Sequence, residues 1–161
     1  VFRVTNELRC VNPGETVEIG NLSAEFIQVT HSIPQTCAVA IRGPDGSVLC
    51  ASDFKLDDKP LLGPTTDIQS LKRLANDGPV AALVGAVRLE EEGPTPSESK
   101  ARLMLREVMD SAASGGGAVL VTTFSSHIAR LRSVVELSYE LGRIPILLGR
   151  SLERYLSLIH I

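Results

Sequence analysis

The sequence predicts an α/β fold, on three observations. The first half carries short runs that alternate apolar and polar residues, the period of a half-buried strand. The second half alternates apolar runs with segments of helical periodicity. An acidic, Pro/Gly-rich stretch, Glu90 to Pro96, separates the two.

In the first half, Glu15–Ile19 and Ala24–Val29 read as strands, the second ending at Thr30-His31. Cys37–Ile41 and Ser47–Ala51 read as a hairpin, because Gly43-Pro44-Asp45-Gly46 between them has turn chemistry. Asp53 follows directly where that hairpin ends, with Lys55 near it.

In the second half, Asp67 can cap a helix that places Ile68, Leu71 and Leu74 on one face. Val80 to Val84 is expected to be a buried strand. Thr95-Pro96-Ser97-Glu98 is a helix start, with Thr95 as N-cap, Pro96 first in the helix and Glu98 third. That helix should run to about Ala113 and stop at Gly115-Gly116-Gly117. Ala118–Thr122 is expected to be a buried strand. Ser125 or Ser126 should cap a helix with Ile128, Leu131, Val134, Val135 and Leu141 facing a core, closed by Gly142. Ile144–Leu148 is the next expected strand, and Gly149-Arg150-Ser151 opens another helix. Strands joined through helices at this spacing imply parallel pairing with a right-handed crossover.

Composition bounds the class. With 161 residues, 43% hydrophobic, the chain can bury a core. Its net charge of −3 is unlike a dedicated basic nucleic-acid module, although a local basic groove stays open. No apolar run approaches the roughly 20 residues of a membrane span. Cys10, Cys37 and Cys50 form no CxxC pair and read as free thiols in a reducing cytosol, so a cytoplasmic protein is expected. Val1-Phe2-Arg3-Val4 has neither an initiator Met nor a signal-peptide pattern, and the chain reads as starting inside a longer sequence.

Two residues stand where chemistry commonly sits. His31 closes an apolar strand and opens a turn-like loop, a place where a rigid backbone presents an accessible ring. It reads as a metal ligand or as a polar residue closing a strand. Asp53 has the same placement and reads as a carboxylate bridging two cations or as a turn-initiating Asp. One His and one Asp do not make a catalytic zinc site, which takes three protein ligands plus water.

Thr30-His31-Ser32-Ile33-Pro34, then Ser52-Asp53-Phe54-Lys55-Leu56-Asp57, resemble the third and fourth metal motifs of the ribonuclease J family. Thr95-Pro96-Ser97-Glu98, Thr123-Phe124-Ser125-Ser126-His127-Ile128-Ala129-Arg130 and Leu148-Gly149-Arg150-Ser151 resemble, in the same order, the start of that family's β-CASP domain, most closely its archaeal-like members. The resemblance covers roughly residues 15 to 155. It implies part of a metallo-β-lactamase αββα sandwich, residues 1–89, followed by the first βαβ units of a β-CASP domain, residues 90–155. Residues 156–161 look unlike the family and read as a non-native tail, so His160 is given no role.

The resemblance also implies function. The parent protein would be a zinc-dependent, cytoplasmic ribonuclease, hydrolysing RNA phosphodiesters in the 5′-to-3′ direction, with RNA as partner and no membrane. His31 would ligate one zinc, and Asp53 would bridge the two ions of the complete site and help hold the nucleophilic hydroxide. Ser126, His127, Arg150 and Ser151 would contact RNA phosphates at helix N-termini. On local grounds Ser126 is equally a helix cap, Arg150 a structural ion pair and His127 a packed or solvated ring. A homodimer of the full-length protein is left open.

The family's HxHxDH run is expected before this segment and its later histidine motifs after it. The family's Asp-Ser-Thr is matched here by Gly85-Ala86-Val87. The loss of that acid makes a non-catalytic RNA-binding paralogue the first alternative; a small-molecule hydrolase of the same fold is the second. The fragment alone is expected to show no turnover, and its half-sandwich to expose apolar faces.

Overall fold

The computed structural model describes residues 8–87, 89–152 and 155. The expectations for the first four residues and for the tail at 156–161 fall outside these described residues.

The first half is a mixed sheet of order β1-β2-β3-β4-β5. Its strands are β1 (Thr16–Ile19), β2 (Leu22–Gln28), β3 (Cys37–Gly43), β4 (Gly46–Ala51) and β5 (Ala81–Val84). The first four pair antiparallel, as the hairpin turn at Gly43–Gly46 requires. Helix α1 (Ile68–Asn76) lies between β4 and β5 in the chain, and β5 returns parallel to β4. This is the one parallel pair among the described residues.

The alternation of the strands decides where the core sits. Ile27 pairs with Ala38, and Ala40 with Leu49, so their side chains share one face. Leu74 and Leu71 of α1 pack against Ile27, Ala40 and Leu49 there. Phe54 covers Val29, Ala38 and Ala51 further along the same face. Ile27 and Leu74 are each 1% exposed, and burying side chains of this size contributes about 1.5–3 kcal/mol apiece. Arg42 and Arg73 both reach Glu25 on this face, at 2.7 and 3.5 Å. On the opposite face Phe26, Val39 and Val48 are only half-buried and Ile41 is exposed, as expected of half a sandwich.

Asp67 caps α1 as expected, its carboxylate accepting from the Ser70 backbone N–H at 2.9 Å. β5 is a strand as expected, but all four of its residues are exposed. The expectation of burial fails because β5 is an edge strand with β4 as its partner.

The second half is helical. α2 (Glu98–Ala113) and α3 (Ile128–Glu140) pack together, stitched by Arg102 to Glu136 and Glu140 at 2.6 and 2.9 Å. The N-cap of α2 is Ser97, not Thr95, with the Ser97 hydroxyl accepting from Lys100 N at 3.2 Å. The N-cap of α3 is His127, not Ser125 or Ser126, which lie in the preceding turn. The expected strands 118–122 and 144–148 are not strands; they run without pairing, mostly exposed. The apolar runs are there, but a strand also needs a ladder, and neither run joins the described five-stranded sheet. The crossover expected around α3 is therefore not formed. Gly142 closes α3 at φ 66°, as expected of a residue just past a helix C-terminus.

Ile128, Leu131 and Leu137 are buried, with Leu62 of the first half packed on Ile128 and Leu131. The two halves therefore meet at the loop between β4 and α1.

Candidate functional site

The site is a cleft of about 790 Å³ between that loop, the end of β2 and the starts of α2 and α3. Its first wall is built around Thr30, buried at the end of β2. The Thr30 carbonyl accepts from Lys55 N at 3.0 Å, and Thr30 N donates to Thr66 Oγ1 at 3.0 Å. Its hydroxyl bonds the Lys55 carbonyl and accepts from Asp57 N, the latter at 3.2 Å. The result holds His31, next in the chain, and Asp53 on adjoining segments of one wall. His31 is half-buried and Asp53 exposed to the cleft.

Gly85 closes that wall from β5. A Cβ placed on it would lie 2.2 Å from Asp53 Oδ1, 3.0 Å from Asp53 N and 3.1 Å from the Ser52 carbonyl carbon. The Asp53 carboxylate thus occupies the space a side chain at this position would need.

The second wall is the start of α2 and α3. Ile128 N donates to Ser32 O at 3.1 Å, bringing the α3 N-terminus to the loop that follows His31. Ser126 and His127 accordingly line the same cleft as His31 and Asp53. Arg150 and Ser151 do not: both are exposed in a helical turn outside its lining. Four of the six residues picked out from the sequence converge, and two stand apart.

The residues joining the walls were not singled out in sequence. Asp57 is buried, its side chain 1% exposed. Its carboxylate accepts from Glu98 N at 2.8 Å, from Lys59 N at 2.9 Å and from Lys55 Nζ at 3.2 Å. Burial on its own would raise this carboxyl, but the two backbone N–H groups and the Lys55 ammonium outweigh it, and the group titrates below its ordinary value. Glu98 is equally buried, its side chain 5% exposed. It takes the Arg130 guanidinium through two bonds, at 2.6 and 3.1 Å, with Lys55 Nζ at 3.6 Å and His127 Nε2 at 3.7 Å. Burial again opposes ionisation, yet the Arg130 bonds and charge, with His127 and Lys55, hold Glu98 below the usual range. Lys55, expected near Asp53, directs its ammonium to Asp57 and Glu98 instead.

His127 is held at Nδ1 and faces a carboxylate at Nε2. Nδ1 accepts from Arg130 N at 3.3 Å, capping α3, so the ring proton belongs on Nε2, which faces Glu98. Burial pushes its pKa down; Glu98 pulls it up, and Arg130 and Lys55 push it down further. The net is below the ordinary value, which keeps the ring neutral at pH 7.

The cleft is acidic overall. Asp53, Asp57, Glu91, Glu92 and Glu98 line it against Lys55 and Arg130. A metal centre is incomplete here: among the described residues, no group of three or more His, Cys, Asp or Glu side chains is placed to hold an ion. His31 and Asp53 alone do not fit a catalytic zinc site, which takes three protein ligands.

Comparison with known proteins places this architecture. The chain is 40% identical over 155 residues to ribonuclease J of Pyrococcus abyssi, covering 96% of this chain and 34% of that protein. It is 37% identical over 155 residues to ribonuclease J of Methanocaldococcus jannaschii, covering 96% of this chain and 35% of that protein. By sequence the chain is similar to ribonuclease J over nearly its whole length. Residues 116–160 match the family described as "Ribonuclease J, beta-CASP domain". Ribonuclease J2 of Bacillus subtilis is 29% identical over 152 residues, covering 94% of this chain and 27% of that protein. The chain spans about a third of the length of these first two relatives.

A crystal structure of a protein of unknown function from Enterococcus faecalis superposes with a TM-score of 0.56 at 16% identity, covering 98% of this chain and 37% of that one. The likeness is one of fold. It agrees with the mixed α/β arrangement of the sheet and helices. Among the described residues, no helix is long and apolar enough to cross a membrane.

Proposed function

We propose that this chain is part of a longer ribonuclease J-type protein that hydrolyses RNA phosphodiesters with zinc, 5′ to 3′. The observation that carries the reading is the cleft: His31 and Asp53 on one wall stand with Ser126 and His127 on the other. Residues 1–89 would form the metallo-β-lactamase part and 90–155 the opening of the β-CASP domain. His31 and Asp53 would be two ligands of a two-zinc centre whose other ligands lie in parts of the relatives' length that this chain does not span. When bound, the ions would lower the pKa of a water and offset charge on the phosphate.

The charge of the cleft supports binding of metal before RNA. Five lining carboxylates against two cations would repel a phosphate backbone until divalent cations were bound. RNA contacts would come from Ser126 and from the outer surface at Arg150 and Ser151, with His127 shaping the wall. Cys10, Cys37 and Cys50 are free, in keeping with a reducing compartment such as the cytoplasm.

The test is made on the full-length protein. Zinc stoichiometry and decay of a 5′-monophosphorylated RNA are measured together. Two zinc ions per protein with progressive loss from the 5′ end supports the reading; intact RNA with bound zinc rejects it. A non-catalytic RNA-binding paralogue is the second reading, favoured by Gly85 where the family has an acid. It is distinguished by RNA retained at micromolar protein without decay.

A further inference from the structure

We infer that Glu98 is a positioning residue, a buried carboxylate that fixes His127 and Arg130 of α3 against Lys55 and Asp57 of the sheet side and so sets the second wall of the cleft. The inference rests on the reading above only in treating this cleft as an RNA site. The contacts stand without it.

Three segments distant in sequence meet at this side chain. Arg130 is held by two charge-assisted bonds at 2.6 and 3.1 Å, a bidentate geometry that fixes the guanidinium plane. His127 Nε2 lies 3.7 Å from Glu98 Oε2, while His127 Nδ1 accepts from Arg130 N at 3.3 Å. The ring is therefore oriented by the α3 backbone bond, with the Glu98 charge beside its other nitrogen, beyond hydrogen-bond reach. On the far side Lys55 Nζ stands 3.6 Å from Glu98 Oε2 and 3.2 Å from Asp57 Oδ2. Asp57 in turn accepts from the Glu98 N–H at 2.8 Å.

Simple fastening would not require this arrangement. A buried ion cluster is generally no more stable than apolar packing of the same volume. Here Lys55, His127 and Arg130 are part-exposed to the cleft, with Asp57 and Glu98 buried behind them. Two carboxylates also neutralise two cations, so Lys55 and Arg130 are held in place and are not free phosphate contacts. With His127 neutral, the cluster carries no net charge. Its contribution is orientation, and Glu98 is the member that touches every part of α3 involved.

The experiment is NMR of the uniformly ¹³C/¹⁵N-labelled chain, following the His127 ring through a pH titration in the native protein, E98Q and K55M. The native ring is expected as the Nε2–H tautomer. In E98Q its titration midpoint should fall, because the charge that stabilises the imidazolium is gone. The Arg130 amide should exchange about fivefold faster as the cap loosens, the factor that corresponds to an N-cap interaction. In K55M the midpoint should rise, since a cation facing the ring has been removed. The three groups that face the ring are Glu98 from α2, Lys55 from the β4–α1 loop and Arg130 from α3.

Folded E98Q with the native tautomer, midpoint and Arg130 exchange overturns the proposal. If E98Q does not fold, K55M decides: a midpoint unmoved from native overturns it, and a raised one supports it. None of these readouts uses RNA, so they can fail while the ribonuclease reading stands, and the reverse.

Discussion

Replacing Gly85 by alanine should destabilise the chain by about 1–2 kcal/mol. The new methyl would meet Asp53 Oδ1 at 2.2 Å, Asp53 N at 3.0 Å and the Ser52 carbonyl carbon at 3.1 Å. The first contact is to a flexible carboxylate end, which can swing aside. The other two are to backbone, which must give by tenths of an ångström. Overpacking of this kind costs about 1–3 kcal/mol. Gly85 is not among the positive-φ glycines, so no conformational penalty is added. Loss of glycine's freedom in the unfolded chain works the other way, by about 0.4–1 kcal/mol. With a urea dependence of about 2 kcal/mol per molar, the unfolding midpoint should fall by about 0.5–1 M. In a D53A background the closest contact is gone, so the same substitution should cost less, with a coupling of at least about 0.5 kcal/mol. A midpoint unchanged or raised by G85A, or strict additivity in the double mutant, would refute the close approach on which this rests. The same geometry bears on the acid that the family carries here: G85D should force Asp53 out of its present pose and set two carboxylates against each other.

Other outcomes follow from the same contacts. D57A removes the acceptor of two backbone N–H groups and one of the two carboxylates that hold the Lys55 ammonium, so chemical denaturation should report a loss of about 1–3 kcal/mol. Asp57 and Glu98 both titrate below ordinary carboxylates when folded, so the folded chain binds fewer protons than the unfolded one in acid. Their stabilisation should be complete above the ordinary carboxylate value of about 4 and disappear as pH falls through the lowered folded values, as circular dichroism against pH would record. A native chain equally stable at pH 7 and pH 2 contradicts this. D67A should cost about 1 kcal/mol through loss of the α1 cap, measured by thermal or urea unfolding.

Much of the first half is legible in sequence because its signals are local. Alternation places Ile27, Ala38, Ala40 and Leu49 on one face, Gly43–Gly46 forms the turn, and Asp67 carries its own capping carboxylate. His31 and Asp53 are legible as strand-end residues, and the motif order adds the rest. The second half is less so, because its determinants are tertiary. Ala118–Thr122 and Ile144–Leu148 have strand composition but pair neither with each other nor with the described sheet. The start of α2 moves from Thr95 to Ser97 because the Glu98 N–H is capped by Asp57, 41 residues away. Glu98 reads as a capping-box residue in isolation, whereas in the fold it is the buried partner of Arg130. A charge this deeply placed gives no sequence signal until its partner's position is known.

The measurement that tests the central claim most directly is decay of a 5′-monophosphorylated RNA by the full-length protein in zinc, compared between native and D53N. The account predicts 5′-to-3′ loss of RNA by the native protein. It predicts a rate at least about a hundredfold lower in D53N, the loss that an altered metal ligand or its support can bring. RNA left intact by the native, zinc-loaded protein, or cut equally fast by D53N, would contradict it.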